Sequence, residues 1–226
     1  MEQTVNNGIN VIITGATGMV GEGVLHECLY HPSVKNILLL GRKPYGIVHP
    51  KVKEIIHQDF LNIQPLKDKL INYNACFFCL GVSSIGMKEE LYNKLTFQLT
   101  THVAAILSEI NKGMTFCYIS GAGTDSTENG KRMWARVKGK TENALLHLPF
   151  KNVFNFRPGV IKATKGLKNT LPLYKYFKWL IPIIELTAPG YITSLKEIGL
   201  AMINATIFGY DKHIIEVPDI KKLAAK

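Results

Sequence analysis

One stretch near the start of the chain limits its fold more than any other. A run of apolar residues, Ile9–Thr14, leads directly into three glycines with the spacing G-x-x-G-x-x-G. These glycines are Gly15, Gly18 and Gly21, and a helical pattern of apolar residues follows them. A strand, a glycine turn and a helix in this order predict the first unit of a parallel α/β sheet.

Each glycine of this turn has a separate physical role if the ligand carries phosphates. Backbone N–H groups at a helix N-terminus bind phosphate, and a Cβ atom in the turn would keep the phosphate away. Gly15 is expected to permit the turn, Gly18 the close approach of the ligand, and Gly21 the tight packing of helix on strand. Thr17 and Met19 belong to the same loop. The stretch therefore predicts a dinucleotide-binding loop, with an ordinary tight turn as the alternative.

The rest of the chain alternates apolar runs with helical patterns. The runs are continuous, which is typical of parallel strands covered on both faces. The candidate strands are Ile9–Thr14, Asn36–Gly41, Val52–His57, Ala75–Leu80, Thr115–Ser120, Val153–Phe156 and His213–Val217. The candidate helices are Met19–Tyr30, Glu89–Asn111, Trp134–Leu148 and Ser194–Phe208. This order predicts a doubly wound α/β fold, a single Rossmann-like domain over residues 1–226 with a mainly parallel seven-stranded sheet and helices on both faces.

Composition and charge exclude several classes of protein. The chain has 226 residues, of which 46% are hydrophobic and 19% are charged, as in ordinary globular proteins. No uncharged apolar run reaches the length of about 18 residues that a membrane span needs, and no signal peptide is visible, so a cytoplasmic location is expected. The net charge is +10, but the lysines are scattered and no nucleic-acid motif occurs. Nucleic acid is therefore not expected as a partner.

The four cysteines include one C-x-x-C pair, Cys76 and Cys79. The pair lies inside a candidate strand, where residues three apart point to opposite faces. No second pair or histidine pair completes a metal site. We therefore expect buried thiols and no metal.

Two basic residues, Arg42 and Lys43, directly follow the second candidate strand. In dinucleotide-binding folds an acidic residue near this position binds the ribose 2′-hydroxyl, whereas an arginine accommodates a 2′-phosphate. No Asp or Glu ends this strand. The pair favours NADP(H) over NAD(H), and the alternative is two solvated charges in a turn before Pro44.

Two further pairs of residues lie at the ends of candidate strands. Asp59 and Phe60 follow the third strand, and Leu80 and Gly81 end the fourth. Open α/β sheets bind ligands at the carboxyl ends of their strands. We expect Asp59 to accept a hydrogen bond from the adenine amino group and Gly81 to let the cofactor approach, with a helix cap or a turn as the alternative.

Together these motifs resemble the short-chain dehydrogenase/reductase superfamily, in its atypical branch. The resemblance covers nearly the whole chain and rests on residues 14–21, 41–42, 59–60, 79–81, 118–120, 137–139 and 157–160. Within the branch the chain looks most like the small proteins related to the mammalian Tat-interacting oxidoreductase-like protein. It also resembles bacterial chains labelled nucleotide-sugar epimerases.

The resemblance implies a Ser–Tyr–Lys catalytic group. In the family the tyrosine is the general acid or base, the lysine lowers its pKa and holds the ribose, and the serine orients the substrate carbonyl. Ser120 matches the serine, with Thr124 close enough to share its task, and Lys138 matches the lysine. Trp134 stands at the tyrosine position, and an indole N–H does not titrate in the useful range. Lys138 could therefore bind the ribose without supporting catalysis.

Three functions follow from this pattern. The first is an NADP(H)-dependent oxidoreductase with a small-molecule substrate, and the second is a cofactor-binding sensor or scaffold without turnover. The third is a nucleotide-sugar epimerase or dehydratase, which the absence of the tyrosine opposes. Residues 160–195 are expected to form a substrate-side loop and helix. The basic, aromatic part at 171–191 alternatively contacts a membrane surface or a protein, and pairing of two subunits is left open.

Overall fold

A central sheet organises the chain, for which a computed structural model describes residues 8–164, 166–169 and 186–226. The strands are β1 Ile9–Thr14, β2 Val34–Gly41, β3 Val52–Ile56, β4 Ala75–Phe78, β5 Thr115–Ile119, β6 Asn152–Arg157, β7 Val160–Lys162, β8 Ile192–Ser194 and β9 Ile214–Glu216. The helices are α1 Met19–Tyr30, α2 Glu89–Asn93, α3 Leu99–Ile110, α4 Met133–Leu146, α5 Leu195–Phe208 and α6 Val217–Ala224. Short 3₁₀ helices span Gln64–Lys69 and Pro189–Tyr191, and a π-helical stretch, Lys94–Gln98, joins α2 to α3.

Seven strands form one parallel sheet in the order β3-β2-β1-β4-β5-β6-β9. The chain first builds outward from β1 to β3 and then returns to place β4 on the other side of β1. This reversal opens a crevice at the carboxyl ends of β1 and β4, where folds of this kind bind their ligands. The predicted seven-stranded Rossmann-like sheet is confirmed.

Both faces of the sheet are buried, which explains the continuous apolar runs. Along β1, Val11 and Ile13 belong to one core cluster and Ile12 belongs to the other. The first cluster packs against helix residues such as Val24 of α1, and the second against Val103 of α3. Each fully buried aliphatic side chain contributes about 1.5–3 kcal/mol relative to an exposed one, so the two layers hold the sheet rigid beneath the crevice.

Several elements differ from the sequence-based expectation. A two-stranded parallel sheet of β7 and β8, with three residues in each strand, was not predicted. Helix α6 was also missed, and the predicted helix Glu89–Asn111 contains the π-helical stretch. The predicted helix Ser194–Phe208 is present as α5, which begins with a capping box of Ser194 and Glu197 and ends with Gly209 as its C-cap.

The predicted contact segment 171–191 falls mostly outside the described residues, since 170–185 are not described. In its described part Leu186 is 85% exposed and Tyr191 is 68% exposed. Among the helices that the structure describes, none is both long enough and apolar enough to cross a membrane. The cysteines are free thiols, with Cys28, Cys76 and Cys117 buried and Cys79 half-buried.

Candidate functional site

The glycine loop between β1 and α1 has the geometry that its spacing predicts. Gly15 has φ 72°, and a Cβ atom added there would lie 2.7 Å from the backbone oxygen of Cys79. A Cβ atom at Gly21 would lie 2.1 Å from the backbone oxygen of Gly15, so only glycine lets the helix pack this closely. Gly18 is the exposed N-cap of α1, and among the residues that the structure describes no side chain caps the helix. The N–H groups of the first helical turn therefore remain for a ligand.

A cavity of about 430 Å³ lies beside this loop at the carboxyl edge of the sheet. Five of the predicted cofactor residues line it, namely Gly15, Thr17, Arg42, Lys43 and Leu80. The other lining residues were not predicted, and the polar side chains among them are Tyr45, Glu54 and Gln58. Its lining includes both the glycine loop and the basic pair after β2, which a dinucleotide site requires.

Side chains of β3 and of the residues just after it hold the loop with Arg42 and Lys43, which forms one wall of the cavity. Gln58 Nε2 donates a hydrogen bond to the backbone oxygen of Arg42 at 2.7 Å. The backbone N–H of Tyr45 donates to Glu54 Oε1 at 2.6 Å. The parallel pairing of β2 and β3 sets Glu54 opposite Leu39, which brings its carboxylate to the cavity. Two exposed cations, Arg42 and Lys43, thus share this wall with one carboxylate that already accepts a backbone N–H.

Other predicted cofactor residues lie outside the cavity wall. Asp59 is exposed, and its Oδ1 accepts the backbone N–H of Leu61 at 3.0 Å, which matches the alternative of a turn residue. The Phe60 side chain is 2% exposed and packs in the core, so it does not face a ligand. Gly81 is exposed with open space around its Cα, and Met19 is buried at the start of α1.

At the other end of the crevice, Lys138 of α4 reaches the end of β5. Its Nζ donates a hydrogen bond to the backbone oxygen of Ser120. Burial lowers the pKa of Lys138 to about 8, and the nearby Glu142 carboxylate opposes this shift. The structure therefore brings Ser120 and Lys138 together, as the resemblance implies, but through the serine backbone.

The Ser120 hydroxyl belongs to a buried ionic network. Ser120 Oγ donates to Glu142 Oε1 at 2.5 Å, and Glu142 is 0% exposed. Arg157 forms two further hydrogen bonds to Glu142, from Nε at 3.0 Å and from Nη2 at 2.5 Å. Arg157 Nη1 also donates to Glu216 Oε1 at 3.2 Å. A buried carboxylate is costly without such donors, which explains why the hydroxyl turns inward.

Two glycines of the loop after β5 lie beside Lys138 and Trp134. A Cβ atom added at Gly121 would lie 4.0 Å from Lys138 Nζ, and one added at Gly123 would lie 3.6 Å from Trp134 Cη2. Thr124 does not replace the serine, because its Oγ1 donates to the backbone oxygen of Gly121 at 2.7 Å and the residue is 6% exposed. The loop after β5 thus presents glycine backbone to the lysine and the indole.

Comparison with known proteins supports the fold. No family model matches the chain. The protein fmp52-1, mitochondrial, of Aspergillus oryzae is 26% identical over 162 residues, which cover 69% of this chain and 67% of that protein.

Several solved enzyme structures share this architecture. A UDP-N-acetylglucosamine 4-epimerase of Methanobrevibacter ruminantium is 14% identical, with 92% of this chain and 75% of that chain covered and a TM-score of 0.64. The dTDP-glucose 4,6-dehydratase DesIV of Streptomyces venezuelae, with NAD bound, is 14% identical, with 96% and 79% covered and a TM-score of 0.66. WbmH of Bordetella bronchiseptica, in complex with NAD⁺, is 14% identical, with 91% and 73% covered and a TM-score of 0.66.

Those structures and this chain share the same Rossmann-like α/β fold. This is the fold that the resemblance to the short-chain dehydrogenase/reductase superfamily implies.

Proposed function

We propose that the chain binds NADP(H) at the carboxyl edge of its sheet. The observation that carries the proposal is the uncapped glycine loop, which opens into a cavity that also contains Arg42 and Lys43. The loop would hold the pyrophosphate at the N-terminus of α1, where the helix dipole favours negative charge. Arg42 and Lys43 would bind the 2′-phosphate, and Lys138 would bind the ribose hydroxyls on the nicotinamide side. Residues 160–195 would lie on the substrate side of one domain that spans residues 1–226.

A fluorescence titration of NADPH and NADH into the protein tests this binding. We expect NADPH to bind about tenfold more tightly than NADH, since a charged hydrogen bond to the 2′-phosphate contributes about 1.5 kcal/mol. Lys43→Ala should weaken NADPH binding, whereas Lys53→Ala should not, because the exposed Lys53 lies on β3 outside this cavity. If the protein binds neither nucleotide, the proposal fails.

We further propose that the protein is an oxidoreductase acting on a small conjugated acceptor such as a quinone. NADPH would supply a hydride to the acceptor. Trp134 cannot deliver a proton, and the Ser120 hydroxyl is committed to Glu142, so the substrate must need little acid from the protein. The proton would come from water or from Lys138, whose pKa of about 8 allows it to donate near neutral pH.

Turnover of NADPH with a panel of quinones and carbonyl compounds tests this activity. We expect quinone reduction that Lys138→Met slows by about a hundredfold in kcat, in the usual range for loss of a general acid. Trp134→Phe is the matched control, because it removes the indole N–H and keeps a smaller aromatic ring at the same position. An unchanged kcat in Lys138→Met would remove the lysine from the mechanism.

A second candidate function is an NADP(H)-binding sensor or scaffold without turnover. The observation that favours it is the placement of glycines opposite Lys138 and Trp134, together with the inward-facing Ser120 hydroxyl. Micromolar NADPH binding with no oxidation of any panel substrate would support this function. Any turnover that Lys138→Met abolishes would exclude it.

Nucleotide-sugar epimerisation or dehydration ranks third. The structural neighbours are named for such sugars, but those reactions remove or return a proton, and Trp134 cannot do so. Gain of epimerase activity in Trp134→Tyr would show that only the acid–base group is missing.

A cytoplasmic location and pairing of two subunits stay predictions. The relative fmp52-1 of Aspergillus oryzae is named mitochondrial.

A further inference from the structure

One buried carboxylate, Glu22, lies directly behind the glycine loop. It belongs to the first turn of α1, and its backbone N–H donates to the backbone oxygen of Gly18 at 2.9 Å. The residue is 1% exposed. A carboxylate this deeply buried is stable only if donors replace the water that it has lost. The donors to Glu22 therefore show which parts of the chain are attached to the start of α1.

Two of the donors come from a distant part of the chain. The backbone N–H of Lys168 donates to Glu22 Oε1 at 2.8 Å, and that of Asn169 donates to Glu22 Oε2 at 2.6 Å. These residues follow β7 in the region that we assign to the substrate side. Two adjacent N–H groups on the two oxygens of one carboxylate fix the segment 166–169 against α1.

The third donor comes from the wall of the cavity. Tyr45 lines the cavity, and its hydroxyl donates to Glu22 Oε1 at 3.1 Å. Burial and the neighbouring Glu22 carboxylate raise the pKa of Tyr45 to about 12, so the hydroxyl keeps its proton at neutral pH. Glu22 thus joins three parts of the molecule, namely the glycine loop, the cavity wall and the segment 166–169.

We propose that Glu22 couples dinucleotide binding in the cavity to the backbone at Lys168 and Asn169. A ligand on the glycine loop and beside Tyr45 restrains both the start of α1 and the Tyr45 hydroxyl. The Glu22 carboxylate is then held in place, and its hydrogen bonds to the two N–H groups become stronger. By linkage the segment raises the affinity for the dinucleotide by the same factor. Glu22 is therefore a positioning residue, and the coupling rests on the proposed NADP(H) binding.

Hydrogen exchange of the peptide covering residues 166–169, with and without saturating NADPH, tests the coupling. We expect NADPH to slow exchange of the Lys168 and Asn169 amides by about tenfold in the natural protein. Glu22→Gln should reduce this protection, because its amide offers one acceptor atom in place of two. Asn169→Pro should abolish the part that depends on its N–H, whereas the matched variant Asn169→Ala keeps the N–H and should keep the protection.

The same variants test the reciprocal effect on affinity. Asn169→Pro should weaken NADPH binding by the same factor by which NADPH slows amide exchange in the segment 166–169 of the natural protein. Asn169→Ala should leave the affinity for NADPH unchanged. Because residue 169 lies on a surface segment, this pair stays informative even if Glu22→Gln fails to fold. If NADPH binds the natural protein but leaves exchange at 166–169 unchanged, the coupling is wrong and the proposed binding stands. If NADPH does not bind at all, the proposed function fails and the coupling fails with it.

Discussion

The two ends of the crevice share one sheet edge but differ in how their polar groups are used. At the β1–α1 end the ligand-facing groups are backbone N–H groups of an uncapped helix, with two exposed cations nearby. At the β5–α4 end the Ser120 hydroxyl, Glu142 and Arg157 satisfy one another inside the protein. The first end exposes N–H groups and cations that suit an anion, whereas the second holds its polar groups for the fold. Cofactor binding and catalysis are therefore separate questions in this chain.

The largest expected effect comes from breaking the buried network at the β5–α4 end. Glu142→Ala leaves Arg157 buried without its main partner, and loss of one member of a buried pair costs about 3–5 kcal/mol. Urea denaturation should show this loss in the free energy of unfolding. NADPH affinity of the folded fraction should change little, because Glu142 lies outside the cavity wall.

An exposed carboxylate provides the control for this measurement. Glu109 pairs with Lys67 at 3.2 Å, and its side chain is 64% exposed. Glu109→Ala should cost less than about 1 kcal/mol, as exposed pairs do. The double variant Glu142→Leu/Arg157→Met should lose less than Glu142→Ala alone. Equal losses in Glu142→Ala and Glu109→Ala would contradict the assigned role of the network.

The next effect concerns the β1–α1 end. Gly21→Ala places a Cβ atom 2.1 Å from the backbone oxygen of Gly15, so α1 must shift away from β1. We expect a loss of about 1–3 kcal/mol in the free energy of unfolding, together with loss of NADPH binding, because the phosphate loop moves. Thermal unfolding and a titration measure the two effects. Gly113→Ala is the control, since a Cβ atom added at Gly113 meets open space. The free energy of unfolding of this variant should hardly change.

A smaller effect is a pH dependence carried by Lys138. Its pKa in the folded state is about 8, against an ordinary value of 10.5, so between these values the unfolded chain binds a proton that the folded chain lacks. The free energy of unfolding should therefore rise with pH in this window, by at most about 1.4 kcal/mol per pH unit. Lys138→Met should lack this rise. Parallel curves for the two proteins between pH 8 and about 10.5 would show that Lys138 titrates normally.

The sequence predicts the sheet and the glycine loop well because both depend on local pattern. Continuous apolar runs identify all seven strands of the main sheet, and the roles of Gly15 and Gly21 follow from their spacing. Strands β7 and β8 have three residues each, as β9 has, but only β9 lies in a longer apolar run, 213–217. The pattern therefore identifies elements that belong to an apolar run and misses short pairings outside one.

The missed parts of the site depend on contacts between distant residues. Glu54 reaches the cavity only because β3 pairs with β2, and its own strand gives no sign of a ligand. The Ser120 hydroxyl turns inward because Glu142, 22 residues later, is buried beside it. Glu22 contacts the backbone of Lys168 across 146 residues of sequence. No spacing rule in a single sequence contains these contacts.

The most direct test of the contrast between the two ends is a calorimetric titration of NADPH and NADH into the natural protein and Arg42→Ala. The proposed NADP(H) site at the β1–α1 end predicts that the natural protein binds NADPH more tightly than NADH. In Arg42→Ala, NADPH affinity should fall by about tenfold and NADH affinity should stay the same, because only NADPH carries the 2′-phosphate. Binding of neither nucleotide by the natural protein, or an equal loss for both in Arg42→Ala, would contradict it.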